Sequence, residues 1–101
     1  MTHDLYAAMR DTVLDALHKT VPGLPDDIAA RVEVSPTRDP AHGDMATNAA
    51  MIAAKPARQP PARIAAALVA ALQGRAGIAG AEAAGPGFVN LRLDASLFRA
   101  V

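Results

Sequence analysis

An α+β sandwich, one small antiparallel sheet of about four strands with helices on one face, is the fold class this chain predicts, on three observations. Residues 3–19 and 61–73 carry apolar side chains at helical spacing. Residues 31–35 and the pair 78–84 and 87–93 read as strands, with clear period-two alternation at 31–35 and 87–93. The elements run helix, two strands, helices, two strands (α-β-β-α-β-β), an order that segregates helices from an antiparallel sheet and leaves one sheet face open.

The first helix is defined by Leu5, Met9, Val13, Ala16 and Leu17 on one side, with Asp11, Asp15 and Lys19 opposite. Thr2 is the expected N-cap, and Val21-Pro22-Gly23-Leu24-Pro25 breaks the helix, leaving room for about one more turn over Asp26 to Ala30. Arg31-Val32-Glu33-Val34-Ser35 alternates as a half-buried strand with Val32 and Val34 inward, and Pro36 is expected to end it. The loop from Pro36 to Gly43 returns the chain for a short second strand over Asp44 to Thr47, although Ala and Asp are poor strand formers. Asn48 is the expected cap of a helix reaching about Ala54, stopped by Lys55-Pro56. Pro60-Pro61 suits the first turn of the next helix, whose stripe is Ile64, Leu68, Ala71 and Leu72 and whose C-cap is Gly74. Gly85-Pro86-Gly87 joins the last two strands, and a short helical tail is expected from Ala95.

The composition narrows the function classes. With 101 residues the chain, expected to form a single domain over residues 1–101, buries roughly two-thirds of its unfolded surface. Ala supplies 25 of those residues, so the 51% apolar fraction overstates the core. Lys plus Arg and Asp plus Glu number ten each, so no net charge is available to hold a polyanion by counterion release. Cys is absent, which removes disulfides, thiolate zinc sites and a Cys nucleophile and fits a reducing compartment, with cytoplasm expected. No leader is expected at the N-terminus, and no apolar run reaches the roughly 18 residues that a membrane span needs.

The most informative stretch is Gly85-Pro86-Gly87-Phe88-Val89-Asn90-Leu91-Arg92-Leu93. Extended, it points Val89, Leu91 and Leu93 one way and Phe88, Asn90 and Arg92 the other. Phe88 is one of only three aromatic residues, and by residue type alone the leading alternative is that it is a core residue on a strand buried on both faces; against it, Asn90 and Arg92 share that face and would be buried without partners. A wet face is the less costly arrangement. It sets a ring, a carboxamide and a guanidinium in a row, able to stack on a base, bond its edge and meet a phosphate. Phe88, Asn90, Arg92, Gly85, Pro86 and Gly87 are therefore the candidate nucleic-acid site.

His42-Gly43-Asp44 also invites a functional reading. A His beside an Asp in a Pro/Gly loop is more often a turn fixed by side-chain hydrogen bonds than a catalytic pair. His3 and His18 are expected to be exposed on the first helix, no spacing supports a metal site, and no phosphate loop, dinucleotide fingerprint or nucleophile elbow occurs. No catalytic residue is assigned. On residue chemistry the chain binds rather than turns over substrate.

Two segments carry a resemblance. His42-Gly43-Asp44-Met45-Ala46-Thr47-Asn48-Ala49-Ala50-Met51 and, beyond the helix opening Pro61-Ala62-Arg63-Ile64-Ala65, Ala84-Gly85-Pro86-Gly87-Phe88-Val89-Asn90 together resemble the N-terminal additional domain of arginyl-tRNA synthetases. Bacterial members carry a Gly-Asp-x-Ala-Thr-Asn-x-Ala-Met stretch and a Gly-Pro-Gly-Phe-Ile-Asn strand, the latter with Val89 in place of Ile here. The likeness runs from the first helix to the final strand.

The resemblance implies a small α+β domain preceding a class I catalytic core and reaching the outer corner of tRNA(Arg), where the D-loop meets the TψC loop. Phe88 would pack on a D-loop base and Asn90 would read it, while Gly43 would permit a turn and Asp44 and Asn48 would cap backbone groups. The synthetase signatures His-x-Gly-His and Lys-Met-Ser-Lys do not occur in these residues, so the resemblance places ATP in the parent enzyme, with no cofactor in this domain, and makes the chain part of a longer ligase. The expected partners are the tRNA D-loop and the catalytic core, with a monomeric state and no membrane. The alternative is a structural or protein-interaction module docking on the synthetase core or another protein through its open sheet face. A third reading is an independent small enzyme using His42 and Asp44.

Overall fold

In the computed structural model the described residues are 2–94, and of Thr2, His3, Asp4 and Pro40 only the backbone is described. The elements are α1 (Thr2–Thr20), α2 (Asp26–Ala29), β1 (Val34–Pro36), a 3₁₀ turn (Pro40–His42), β2 (Met45–Thr47), α3 (Ala49–Ala57), α4 (Pro61–Leu72), β3 (Ile78–Ala84) and β4 (Phe88–Leu93). The four strands form one antiparallel sheet in the order β1-β2-β4-β3, as the α+β prediction requires. The capping role expected of Thr2, the exposure expected of His3 and the helical tail from Ala95 fall outside what is described.

The core lies between the sheet's inner face and the helices. Val89, Leu91 and Leu93 of β4 and Met45 of β2 are buried there beneath Met9, Val13, Ala16 and Leu17 of α1 and Ile64, Leu68 and Leu72 of α4. α4 packs on α1, α3 and β3. Ala49, Ala50 and Ala53 are buried on α3, where single methyl groups let this helix sit close to α4.

Several boundaries differ from expectation, each for a local reason. β1 begins at Val34 rather than Arg31, because the backbone of the preceding residues is bonded elsewhere. Arg10 Nε donates to the Val32 carbonyl at 2.8 Å, Asn48 Oδ1 accepts from the Glu33 N–H at 2.8 Å, and Asn48 Nδ2 donates to the Arg31 carbonyl at 3.4 Å. Val32 is buried as expected, but as a plug rather than a strand residue. Pro36 is the last residue of β1, not the first beyond it, and its missing donor is harmless on an edge strand.

Asn48 does not use its side chain to cap α3. The carboxamide is committed to residues 31–33, and Thr47 Oγ1 instead accepts the Ala49 N–H at 3.2 Å. The helix runs through Pro56 to Ala57 rather than stopping near Ala54, and closes with Arg58 in the left-handed region (φ 55°). Beyond α4, Gly74 is not the cap itself. It is the third residue of a turn closed by Arg75 N–H to Leu72 C=O at 3.1 Å, whose φ of +79° follows Gln73 at −60°, 132°, a type II turn.

Candidate nucleic-acid interface

β4 sits at the centre of the sheet, and the inward run of Val89, Leu91 and Leu93 fixes its orientation. Phe88, Asn90 and Arg92 are thereby turned to the side away from the helices. The registers place Ser35, Ala46, Asn90 and Glu82 in one row across this face, with Ala84 opposite Phe88 and Gly80 opposite Arg92. Ala84 and Gly80 are small, so the β3 side of the ring is not covered. Phe88 is 39% exposed, with Met51 at the same value the only other large exposed hydrophobic side chain among the described residues.

The ring stands between two recesses. One, about 380 Å³, lies between Phe88 and Asn90 and the loop after β1, with Arg38 and His42 on its rim. The other, about 290 Å³, is lined by Phe88, Met51, Asn48 and Glu33. The carboxamide of Asn90 has no protein partner among the described residues and also borders a shallow recess beside Gln73 and Glu82. A flat ring with a free donor and acceptor two residues along the same face can stack a heterocycle and bond its edge.

The site is held from behind by glycine at two places. Gly87 is buried with φ at +154°, and a Cβ there would lie 3.0 Å from the Cβ atoms of both Met51 and Pro61. Its carbonyl accepts the Met51 N–H at 3.1 Å, satisfying a free donor of the first turn of α3 and setting Met51 beside Phe88. Gly43, at φ +110°, lets the loop after β1 approach β4 so closely that a Cβ would meet the Leu91 carbonyl oxygen at 2.8 Å.

The candidate residues from the sequence are thus distributed as follows. Phe88 and Asn90 meet at the larger recess, and Gly85 lines it too. Pro86 is exposed in the hairpin turn, whereas Gly87 is underneath, packed on α3 and α4. Arg92 is on the same face, but its guanidinium donates to the Ala41 carbonyl at 2.8 Å. The loop itself is held by Thr37 Oγ1 donating to the Gly43 carbonyl at 2.6 Å and by Asp39 Oδ1 accepting the Ala41 N–H at 2.9 Å, rather than by a His42–Asp44 pair. Asp44 does cap a backbone group, accepting the Leu93 N–H at 2.8 Å. His18 is exposed on α1. Met51, Arg38 and His42 line the recesses without having been singled out as binding residues. Only their placement by distant hydrogen bonds brings them there.

Asp15, on α1, has its acidity shifted by its neighbours. The guanidinium of Arg75, bonded to it, and then the charge of Lys19 hold its carboxyl below the usual carboxylate range, far from the open face. No group of three or more His, Cys, Asp or Glu is placed to hold a metal ion, and no helix is long and apolar enough to cross a membrane, among the described residues.

These features define a two-layer α+β domain with one open sheet face. The sequence profile of the arginyl tRNA synthetase N terminal domain matches residues 7–93. An arginine–tRNA ligase of Gluconobacter oxydans is 58% identical over 100 residues, covering 99% of this chain and 17% of that protein. The arginine–tRNA ligase of Roseobacter denitrificans is 52% identical over 101 residues, covering 97% of this chain and again 17% of the relative. Among solved structures, Thermus thermophilus arginyl-tRNA synthetase superposes with a TM-score of 0.70 at 26% identity, over 92% of this chain and 14% of that one. The chain belongs to the arginyl-tRNA synthetase N-terminal domain family, and spans 17% of the length of these curated relatives.

Proposed function

We propose that this domain, over residues 1–101, recognises the outer corner of tRNA(Arg) for an arginyl-tRNA synthetase, through one D-loop base stacked on Phe88 and read by Asn90. The observation that carries the reading is the 39% exposure of the Phe88 ring on an open sheet face, beside a carboxamide with no partner among the described residues. Stacking on one aromatic ring is worth about 1–3 kcal/mol, and a hydrogen-bonded base edge adds discrimination. With ten basic and ten acidic residues the domain has no net charge to hold a tRNA by itself, so it selects among tRNAs that the rest of the enzyme binds. In this reading the domain precedes the catalytic core of a monomeric, cytoplasmic ligase, and ATP is handled in that core. The test is Phe88→Ala and Asn90→Ala in the full-length enzyme. Apparent affinity for tRNA(Arg) should fall about 5- to 150-fold in the first. An affinity equal to that of the parent enzyme in both variants would overturn the proposal.

A second reading, docking on the synthetase core, draws on a different surface. Between α2 and α3 lies a cleft of about 630 Å³ lined by Ile28, Met51 and Ile52 together with Asp27, Arg31 and Lys55. If docking is the whole role, Ile28→Asp should detach the domain and Phe88→Ala should leave tRNA affinity intact.

A further inference from the structure

Arg92 is aligned with Phe88 and Asn90 in sequence, yet its guanidinium is already engaged, donating from Nη2 to the Ala41 carbonyl. The loop that it grips is closely tied. Besides the Thr37 to Gly43 and Ala41 to Asp39 bonds, His42 N–H donates to the Asp39 carbonyl at 2.9 Å, and Asp44 is anchored to β4 on both sides, through its N–H to the Leu91 carbonyl and its carboxylate to the Leu93 N–H, each at 2.8 Å. A loop so braced holds its backbone, and so the root of each side chain, in a fixed place.

Arg38 is one of those side chains. It borders the recess of about 380 Å³ whose opposite wall is the Phe88 ring, and among the described residues it has neither a hydrogen bond nor an ion pair with the protein. The charges around the ring are asymmetric. Glu33 lines the recess on the other side of Phe88, and Glu82 stands across the strand from Asn90. The loop also carries Asp39 and Asp44, but their carboxylates accept the Ala41 and Leu93 N–H groups and neither lines the recess, so a phosphate belonging to a nucleotide stacked on Phe88 faces Glu33 and Glu82 on two sides and Arg38 on the third. A guanidinium offers five donors in a planar fork suited to a phosphate, and no described residue occupies this one.

We propose that Arg38 makes the phosphate contact of this site, carried to it by a loop that Arg92 braces from the sheet. The inference rests on the reading that Phe88 receives a base. Arg92, which the sequence row had suggested as the phosphate ligand, is a positioning residue.

The experiment is the salt dependence of tRNA(Arg) binding to the full-length enzyme. Arg38→Ala should weaken binding severalfold and make the slope of log K against log salt concentration shallower by about 0.7–0.9, the loss of one phosphate contact, while Arg38→Lys restores the slope. Phe88→Ala should weaken binding with the slope unchanged. Arg92→Ala should weaken binding in the parent background and add nothing in the Arg38→Ala background, because its effect passes through Arg38. Arg38→Ala with parental affinity and slope, alongside a weakened Phe88→Ala, overturns this inference and leaves base stacking in place. A Phe88→Ala enzyme with parental affinity overturns the stacking reading and the inference with it.

Discussion

The carboxylate of Asp44 accepts the backbone N–H of Leu93 at 2.8 Å, while the N–H of Asp44 donates to the Leu91 carbonyl at the same distance. These two bonds fasten the entry to β2 onto the far end of β4, and with it the loop that forms one wall of the Phe88 recess. Asp44→Ala should remove the side-chain bond and lower stability by about 1 kcal/mol, a fall in Tm of about 4–8 °C for a domain of this size. Asp44→Asn keeps an acceptor and should lose less. Thermal denaturation of the two variants separates a bond to Leu93 from a general effect of charge.

Gly87 and Gly85 flank the same proline but differ in what surrounds them. A Cβ at Gly87 meets two carbon atoms at 3.0 Å, whereas one at Gly85 meets nothing within 4 Å, although both have positive φ. Gly87→Ala should therefore cost about 2–4 kcal/mol, from strain plus the displacement of α3 from the hairpin, and Gly85→Ala about 1 kcal/mol, from strain alone. Urea midpoints should rank the parent above Gly85→Ala and both above Gly87→Ala.

Neighbouring faces of β4 should separate stability from binding. Leu91 is fully buried, and Leu91→Ala should cost about 2–5 kcal/mol. Phe88→Ala, on the open face, should change stability by no more than about 1 kcal/mol. Equal losses in denaturant melts would show that the Phe88 ring is a packing residue.

The surroundings of Asp15 set the sign of its contribution to pH-dependent stability. Its carboxyl is held below its ordinary value in the folded chain, by Arg75 first and Lys19 second, so the folded state favours the ionised form. The stabilisation is fully present above the unfolded-state value and is lost as pH falls through the lower folded value. Asp15 is exposed, so screening keeps the effect small. In acid titrations followed by circular dichroism, Asp15→Asn should flatten the fall in stability as pH drops below the ordinary carboxylate range, and the difference between the chains should shrink in high salt.

Legibility followed the range of the interactions. The apolar stripe of α1, the alternation of β4 and the Gly-Pro-Gly turn are set by neighbours along the chain, and each was readable from spacing. The misplaced start of β1 and the unused cap at Asn48 share one cause, a carboxamide that bonds residues 31–33 from 15 and 17 positions away. Arg10 reaching the Val32 carbonyl across 22 residues is of the same kind. The extension of α3 through Pro56 is a local feature that proline rules do not anticipate in a final turn.

Periodicity in the sequence determined that Phe88, Asn90 and Arg92 would share a face of a sheet, since a strand alternates whatever it is packed against, and the paired motifs 42–51 and 84–90 carried the family likeness. Only the tertiary structure decided which of these groups are left free. Arg92 and Arg38 are equally basic as letters, but Ala41 lies 51 positions from Arg92 and takes its proton donor, while Arg38 has no partner among the described residues. Whether a side chain is spent on the protein or available to a ligand depends on contacts between segments distant in sequence, and no local pattern encodes them.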